Sequence, residues 1–143
     1  SISFDILMQS NFSYTIKEEY IDLNGHLTEW GYYAYATRAI WDLNQVYGLL
    51  DLYKLHGIGP IIFDTQVNFF KEVFKGERII VEPGILKVSE NRKKFLRSIK
   101  IYDEQNVVCA SFLSNGAFLD LKTRKVIIPK IEVSEAFQSL LIR

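Results

Sequence analysis

Thr28-Glu29-Trp30-Gly31-Tyr32-Tyr33-Ala34-Tyr35-Ala36-Thr37-Arg38-Ala39-Ile40-Trp41-Asp42-Leu43-Asn44-Gln45-Val46-Tyr47-Gly48 is the stretch on which the fold turns. Tyr32, Tyr35, Ala36, Ala39, Ile40, Leu43, Val46 and Tyr47, with Leu50 beyond, recur at three- and four-residue steps. That spacing is one apolar helical face. Thr28 can cap the first turn, and Glu29 suits the positive end of the helix dipole. Gly48 is a stop signal. The pattern predicts a helix over about 29–47, roughly 28 Å long, enough to lie along a whole sheet.

On either side the period changes to two. Phe12, Tyr14, Ile16 and Tyr20 share one parity against Ser13, Thr15, Lys17 and Glu19, which predicts a half-buried strand over residues 12–20. Leu23-Asn24-Gly25-His26 breaks it with an Asn-Gly turn. Beyond the helix, His56-Gly57-Ile58-Gly59-Pro60 reads as loop, and residues 61–70 alternate again. Ile79 to Val88 follows the Lys75-Gly76 turn, with Pro83-Gly84 predicting a bulge. Ser89-Glu90-Asn91 leads into a strand over residues 93–102, and Asp103 to Asn106 turn into Val107–Leu119, apolar on both parities as in a strand covered on both faces. Ser134 is placed to cap a short C-terminal helix. A strand, a long helix and four strands on short turns make an α+β two-layer arrangement with one antiparallel sheet. No linker-like stretch divides the 143 residues, so one domain over 1–143 is expected.

Composition narrows the function. Seventeen basic and seventeen acidic residues cancel, leaving no basic footprint for nucleic acid. No apolar run approaches the roughly 20 residues that span a bilayer. Ile6-Leu7-Met8 lacks the basic flank of a signal peptide, and the single cysteine, Cys109, suits a reducing compartment. A cytoplasmic protein is expected.

The candidate chemistry lies between the first strand and the helix. A helix N-terminus offers unpaired amides that can polarise a carbonyl or hold an oxyanion. Asp22, beside them in sequence, could attack a carbonyl carbon or deprotonate water. Equally, Asp22 could simply form an Asx-turn ahead of the helix. Glu29 is either a second carboxylate for catalysis or an ordinary first-turn acid. His26 is either a proton shuttle or a residue that orients the loop. His26 and His56 have no ligand spacing, so no metal site is expected. Cys109 lies in an apolar strand and reads as a buried hydrophobe, and Ser111 and Ser114 lack a nucleophile elbow.

Tyr20-x-Asp22-x-x-Gly25-His26-Leu27, followed by Tyr32 and Arg38 on a helix, resembles the 4-hydroxybenzoyl-CoA thioesterase-like branch of the hotdog superfamily. The similarity continues through Val67-x-Phe69-Phe70, Gly76-Glu77 and the Lys93–Leu119 hairpin, over nearly the whole chain. It departs at Thr28-Glu29, where many relatives carry Asn-Asn, and at Arg38-Ala39, where the family pair is reversed. The resemblance implies a hotdog fold, one long helix wrapped by a five-stranded antiparallel sheet. It implies protomers paired edge to edge near residues 61–70 as a homodimer or homotetramer, with the active site at that interface. Asp22 would be the nucleophile or general base, with His26 ranked below it. Amides near Glu29 to Gly31 would polarise the thioester carbonyl, and no cofactor or metal is implied.

Arg92-Lys93-Lys94 is the densest basic cluster. The resemblance points it at the phosphates of CoA, with Lys71, Lys75 and Arg97 as possible contributors; a solvated hairpin end is the other reading. Gly25, Glu29, Trp30 and Tyr32 complete the expected substrate-binding set, since the helix carries more aromatics than one buried face needs. The leading expectation is hydrolysis of an acyl-CoA-type thioester to free acid and CoA. The alternatives are an enoyl-thioester hydratase, whose Asp and His stand five residues apart where here they stand four, and a non-catalytic acyl-CoA-binding module on the same fold.

Overall fold

The computed structural model describes residues 10–142; the Ile6-Leu7-Met8 patch lies outside them. In chain order the elements are β1 (Phe12–Thr15), a 3-10 turn (Glu18–Tyr20), α1 (Glu29–Val46), α2 (Leu49–His56), β2 (Ile58–Phe69), β3 (Arg78–Val88), β4 (Lys94–Tyr102), β5 (Val108–Asp120), β6 (Val126–Ile127) and α3 (Ile131–Gln138). The sheet is antiparallel in the order β1-β3-β4-β5-β2, and β6 adds two residues against β5. Four long strands and the four-residue β1 around one long helix make the hotdog arrangement that the resemblance implies; the two-residue sixth strand is an addition to it.

Helix α1 forms where its spacing predicts. Thr28 is extended and its Oγ1 accepts the Gly31 amide at 3.1 Å. Its buried face is Tyr32, Tyr35, Ala36, Ala39 and Leu43, whereas Val46 stays partly exposed. Ala36 and Ala39 are fully buried, and their small side chains let the helix close onto β3. Opposite them lie Ile79, Val81, Ile99, Ile101 and Phe112, each worth roughly 1.5–3 kcal/mol when removed from water. The Tyr14 hydroxyl donates to Asp42 at 2.6 Å and ties α1 to β1.

Several boundaries differ from expectation. The first strand stops at Thr15, because the next residues turn: the Lys17 amide donates to the Tyr35 hydroxyl at 3.0 Å and a 3-10 turn follows. Gly48 does end α1, but as a left-handed link (φ 71°) straight into α2. Gly57 (φ 63°) then ends α2, so His56–Pro60 is a helix end and a strand start, not a loop. Pro60 is tolerated because β2 is an edge strand. The bulge in β3 falls between Ile85 and Lys87, since Pro83 and Gly84 pair regularly with Ile99 and Ser98. Pro83 needs no donor there: β1 covers β3 only as far as Val81. Beyond it the C-terminal residues take over the edge, with the Ile85 amide on Leu140 O at 2.9 Å and the Ile142 amide on Ile85 O at 2.8 Å. Gly84 lies directly beneath the Ile142 side chain. Ser134 is not a cap; it is buried within α3, which starts three residues earlier after Pro129-Lys130. Strand β5 is covered on both faces near Ala110 and at Gly116–Phe118 but alternates at Phe112–Asn115.

Candidate active site

The Asp22–His26 loop closes on itself. The Asp22 amide donates to His26 O at 2.9 Å, the Gly25 amide donates to Asp22 O at 3.1 Å, and Gly25 takes the left-handed conformation (φ 83°) the turn requires. Asp22 Oδ1 accepts the amides of Asn24 at 2.9 Å and His26 at 3.1 Å. The Asx-turn reading is therefore realised, and it fixes the carboxylate: both bonds go to Oδ1, and Oδ2 has no partner among the described residues. An Asx-turn and a positioned carboxylate are one arrangement here, not competing ones.

The loop is pinned to the segment after β2. Leu27 donates to Val73 O at 2.7 Å, and His26 bridges to Phe74, whose ring it meets edge-on at 5.1 Å. His26 Nδ1 lies 3.1 Å from Glu72 Oε1, a carboxylate that orients the imidazole. Asp22, His26, Glu29, Tyr32, Phe69 and Glu72 share the wall of one open cleft of about 390 Å³. Its floor is the first turn of α1. Thr28 Oγ1 takes the amide of Gly31, leaving those of Glu29 and Trp30 ahead of the first i−4 acceptor. The usable donors are thus one residue fewer than Glu29 to Gly31.

Tyr32 forms the inner wall. Its hydroxyl donates to Lys71 O at 2.8 Å, its ring packs on Phe69 at 5.1 Å, and burial pushes the phenol up to about 12. It stays protonated at neutral pH with its proton already spent. Trp30 is 58% exposed and packs on Tyr20 outside the cleft, and Gly25 shapes the turn without lining the cleft. Cys109 is fully buried, and burial pushes its thiol up.

The basic residues separate. Arg92, Lys93 and Lys94 occupy the β3–β4 turn, where Arg92 is left-handed (φ 65°) and Asn91 Oδ1 accepts the Lys93 amide at 3.1 Å. Lys94 pairs with Ala117 and Ile101 with Ala110, while Phe69 of the cleft pairs with Ala110. The cluster is therefore at the opposite end of the sheet, about 24 Å away along seven residues of strand. Lys71 is held by the buried Asp103, which also accepts the Gln105 and Val107 amides, each at 2.9 Å. Lys71 first, then the Val107 amide, holds the Asp103 carboxyl below the usual range. Lys75 pairs with Glu18 at 2.9 Å, and Arg97 is buried beneath α1. None of these three is a free surface cation.

Glu72 and Asp103 were invisible to sequence reasoning. Each acts on a residue 32 or more positions distant, and only the strand pairing brings the partners together. Among the described residues no cluster of His, Cys, Asp and Glu is placed to hold a metal, and no helix is long and apolar enough to cross a membrane.

A family model described as the thioesterase-like superfamily matches residues 16–141. No curated protein matches in sequence. Among solved structures, the probable thioesterase YbaW of Escherichia coli superposes with a TM-score of 0.82 at 17% identity, over 94% of this chain and 100% of that one. SAV2348 of Staphylococcus aureus, solved in complex with CoA, gives 0.82 at 14% identity over 94% and 86%. Slr0204 of Synechocystis, a 1,4-dihydroxy-2-naphthoyl-CoA thioesterase, gives 0.77 at 15% identity over 91% and 96%.

Proposed function

We propose that this chain, which belongs to the thioesterase-like superfamily, hydrolyses acyl-CoA-type thioesters to the free acid and CoA. The observation that carries the reading is the Asp22 carboxylate, fixed through Oδ1 with Oδ2 unpartnered, on the wall of a cleft floored by the first turn of α1. The thioester carbonyl oxygen takes the amides of Glu29 and Trp30. Asp22 then either removes a proton from the attacking water or attacks the carbonyl carbon itself. In both cases the C–S bond breaks, CoA leaves as the thiol, and water supplies the hydroxyl of the acid. His26, held by Glu72, contacts the substrate or the water, and Glu29 lines the approach.

The active assembly is at least a homodimer, in one domain and in the cytoplasm. Strand β2 runs for 12 residues along the sheet edge with Phe63, Val67 and Phe69 exposed, the kind of edge that invites pairing. Two antiparallel β2 edges bring the Ile61 end of one protomer beside the Phe69 end of the other. The partner subunit's basic turn then lies at the same end of the joint sheet as this protomer's Asp22. That supports the cluster as a CoA phosphate site used between protomers, since within one protomer it stands at the opposite end of the sheet from the cleft.

A panel of acyl-CoAs, from acetyl to palmitoyl with aryl esters, assayed for thiol release tests the activity. Release from at least one member is expected. Silence across the panel, or loss of enoyl conjugation without thiol release, sinks hydrolysis in favour of the binding or hydratase readings.

A further inference from the structure

Beneath the C-terminal half of α1 lies a small internal cavity of about 70 Å³, lined by Ile40, Leu43, Ile62, Phe95 and Phe137 and by one cation, Arg97. Its size corresponds to a few water molecules or a small polar group. Arg97 projects from the core face of β4 and is only 8% exposed. A buried guanidinium remains charged and is costly unless an anion meets it. Here its neighbours are neutral: Nη2 donates to Ser114 Oγ at 3.3 Å, and the Tyr33 hydroxyl lies close by. No carboxylate among the described residues pairs with it, and its Nε, fully buried, has no partner among them. The other buried charge among the described residues, Asp103, is met by Lys71 and by the amides of Gln105 and Val107.

The cleft and the cavity lie under the same helix, the cleft against Glu29 and Tyr32 and the cavity against Ile40 and Leu43. Thr65 bonds Ser114 at 2.8 Å, and Ser114 bonds Arg97. Thr65 stands four residues along β2 from Phe69, which lines the cleft, and so about 13 Å from it. Between them the helix-facing side of β2 and β5 presents Val67 and Phe112, with Tyr33 stacked on Phe112 at 5.5 Å. Apolar side chains thus occupy the stretch between the cleft and a buried cation that has no carboxylate partner among the described residues.

We propose that the acyl group this site takes is apolar along its length and ends, away from the thioester, in a carboxylate or comparable oxyanion that seats against Arg97. The proposal rests on the thioesterase reading and names its substrate class. The oxyanion accepts from Nε, and the guanidinium keeps its bond to Ser114. An alkyl tail of equal length leaves the charge unmet.

The test compares matched thioesters. Wild-type protein is expected to hydrolyse dodecanedioyl-CoA with kcat/KM about tenfold or more above dodecanoyl-CoA, as a desolvated charge-assisted pair implies. Arg97→Met should reverse that order, and Arg97→Lys should keep part of it. A wild-type preference for dodecanoyl-CoA, or a ratio that Arg97→Met does not change, overturns the proposal. Circular dichroism checks that both variants fold; the methionine removes a buried charge and keeps the apolar stem, so it is expected to be tolerated. Should neither thioester be cleaved, the catalytic reading fails but the site still answers. Free dodecanedioate should then raise the Tm of wild type more than dodecanoate does, and lose that advantage in Arg97→Met. Equal shifts from the two acids overturn the site on their own.

Discussion

The same sheet treats its two inner cations in opposite ways. At the cleft end Lys71, half exposed, is met by a buried carboxylate that backbone amides also hold. Under the far half of α1 Arg97, almost wholly buried, is met among the described residues by hydroxyls alone. Solvent could have satisfied Lys71 unaided, whereas Arg97 most needs a counter-charge. Charge at the cleft end thus serves to hold segments in place, since His26–Glu72 and Lys71–Asp103 both anchor the segment after β2. What remains free there is Asp22 Oδ2 and two helix amides. At the cavity end no carboxylate among the described residues meets the charge.

The largest effect is expected at the cleft end, from Asp22→Asn. The amide oxygen can still accept from Asn24 and His26, so the loop and Tm should hold. Lost basicity or nucleophilicity should lower kcat about 10²–10⁴-fold. Near wild-type turnover on the best thioester would remove Asp22 from the chemistry.

Next comes Asp103→Asn, which makes Lys71 resemble Arg97. The Asp103 carboxyl sits below its unfolded value of about 3.9, chiefly because of Lys71. Its stabilisation is therefore present above about pH 4 and is lost as pH falls through the lower folded value. Thermal melts should show the variant less stable than wild type at pH 7 and the two converging below about pH 4. A constant gap across that range would assign the loss to packing instead.

The long elements were legible because their signals are local. Thr28, the three-and-four spacing and Gly48 define α1 from within 21 residues of chain. Asp22 and Gly25 were legible for the same reason, as a turn whose bonds close inside the motif. Strand ends were not, because they depend on neighbours: Pro83 reads as a disruption until β1 is seen to stop at Val81. Nor were the pairings. Lys71 and Arg97 look alike in sequence, both as cations near strands, and only the register separates a cation beside Asp103 from one beside Ser114.

Gly31→Ala perturbs the cleft end without touching a charge. A Cβ there would stand 2.7 Å from Leu27 Cδ1 and 2.8 Å from the capping Thr28 Oγ1, so the cap must move. Alanine's intrinsic helix advantage of about 1 kcal/mol is set against a lost cap of about 1 kcal/mol and an overpacking cost of about 1–3 kcal/mol. A net loss of about 1–3 kcal/mol is expected in denaturant unfolding, with kcat falling alongside. A more stable variant would mean that the first turn is looser than its contacts imply.

The smallest effect belongs to Arg92, Lys93 and Lys94 replaced together by Ala. Exposed phosphate contacts are worth about 0–1 kcal/mol each, and less as salt rises. Because the nucleotide is remote from the reacting carbon, KM should rise more than kcat falls. A pantetheine thioester without the phosphates should show no difference. The 24 Å between this turn and the cleft of its own protomer adds a sharper outcome. In mixed dimers of Asp22→Asn with the triple variant, one site joins an intact Asp22 to an intact basic turn from the other protomer. Such dimers should regain about half the wild-type rate with a wild-type KM, because one of two sites is whole. A recovered rate with KM still raised would put cluster and carboxylate on one protomer, against the register of the sheet. An unchanged KM in the triple variant itself would leave the turn as a solvated hairpin end.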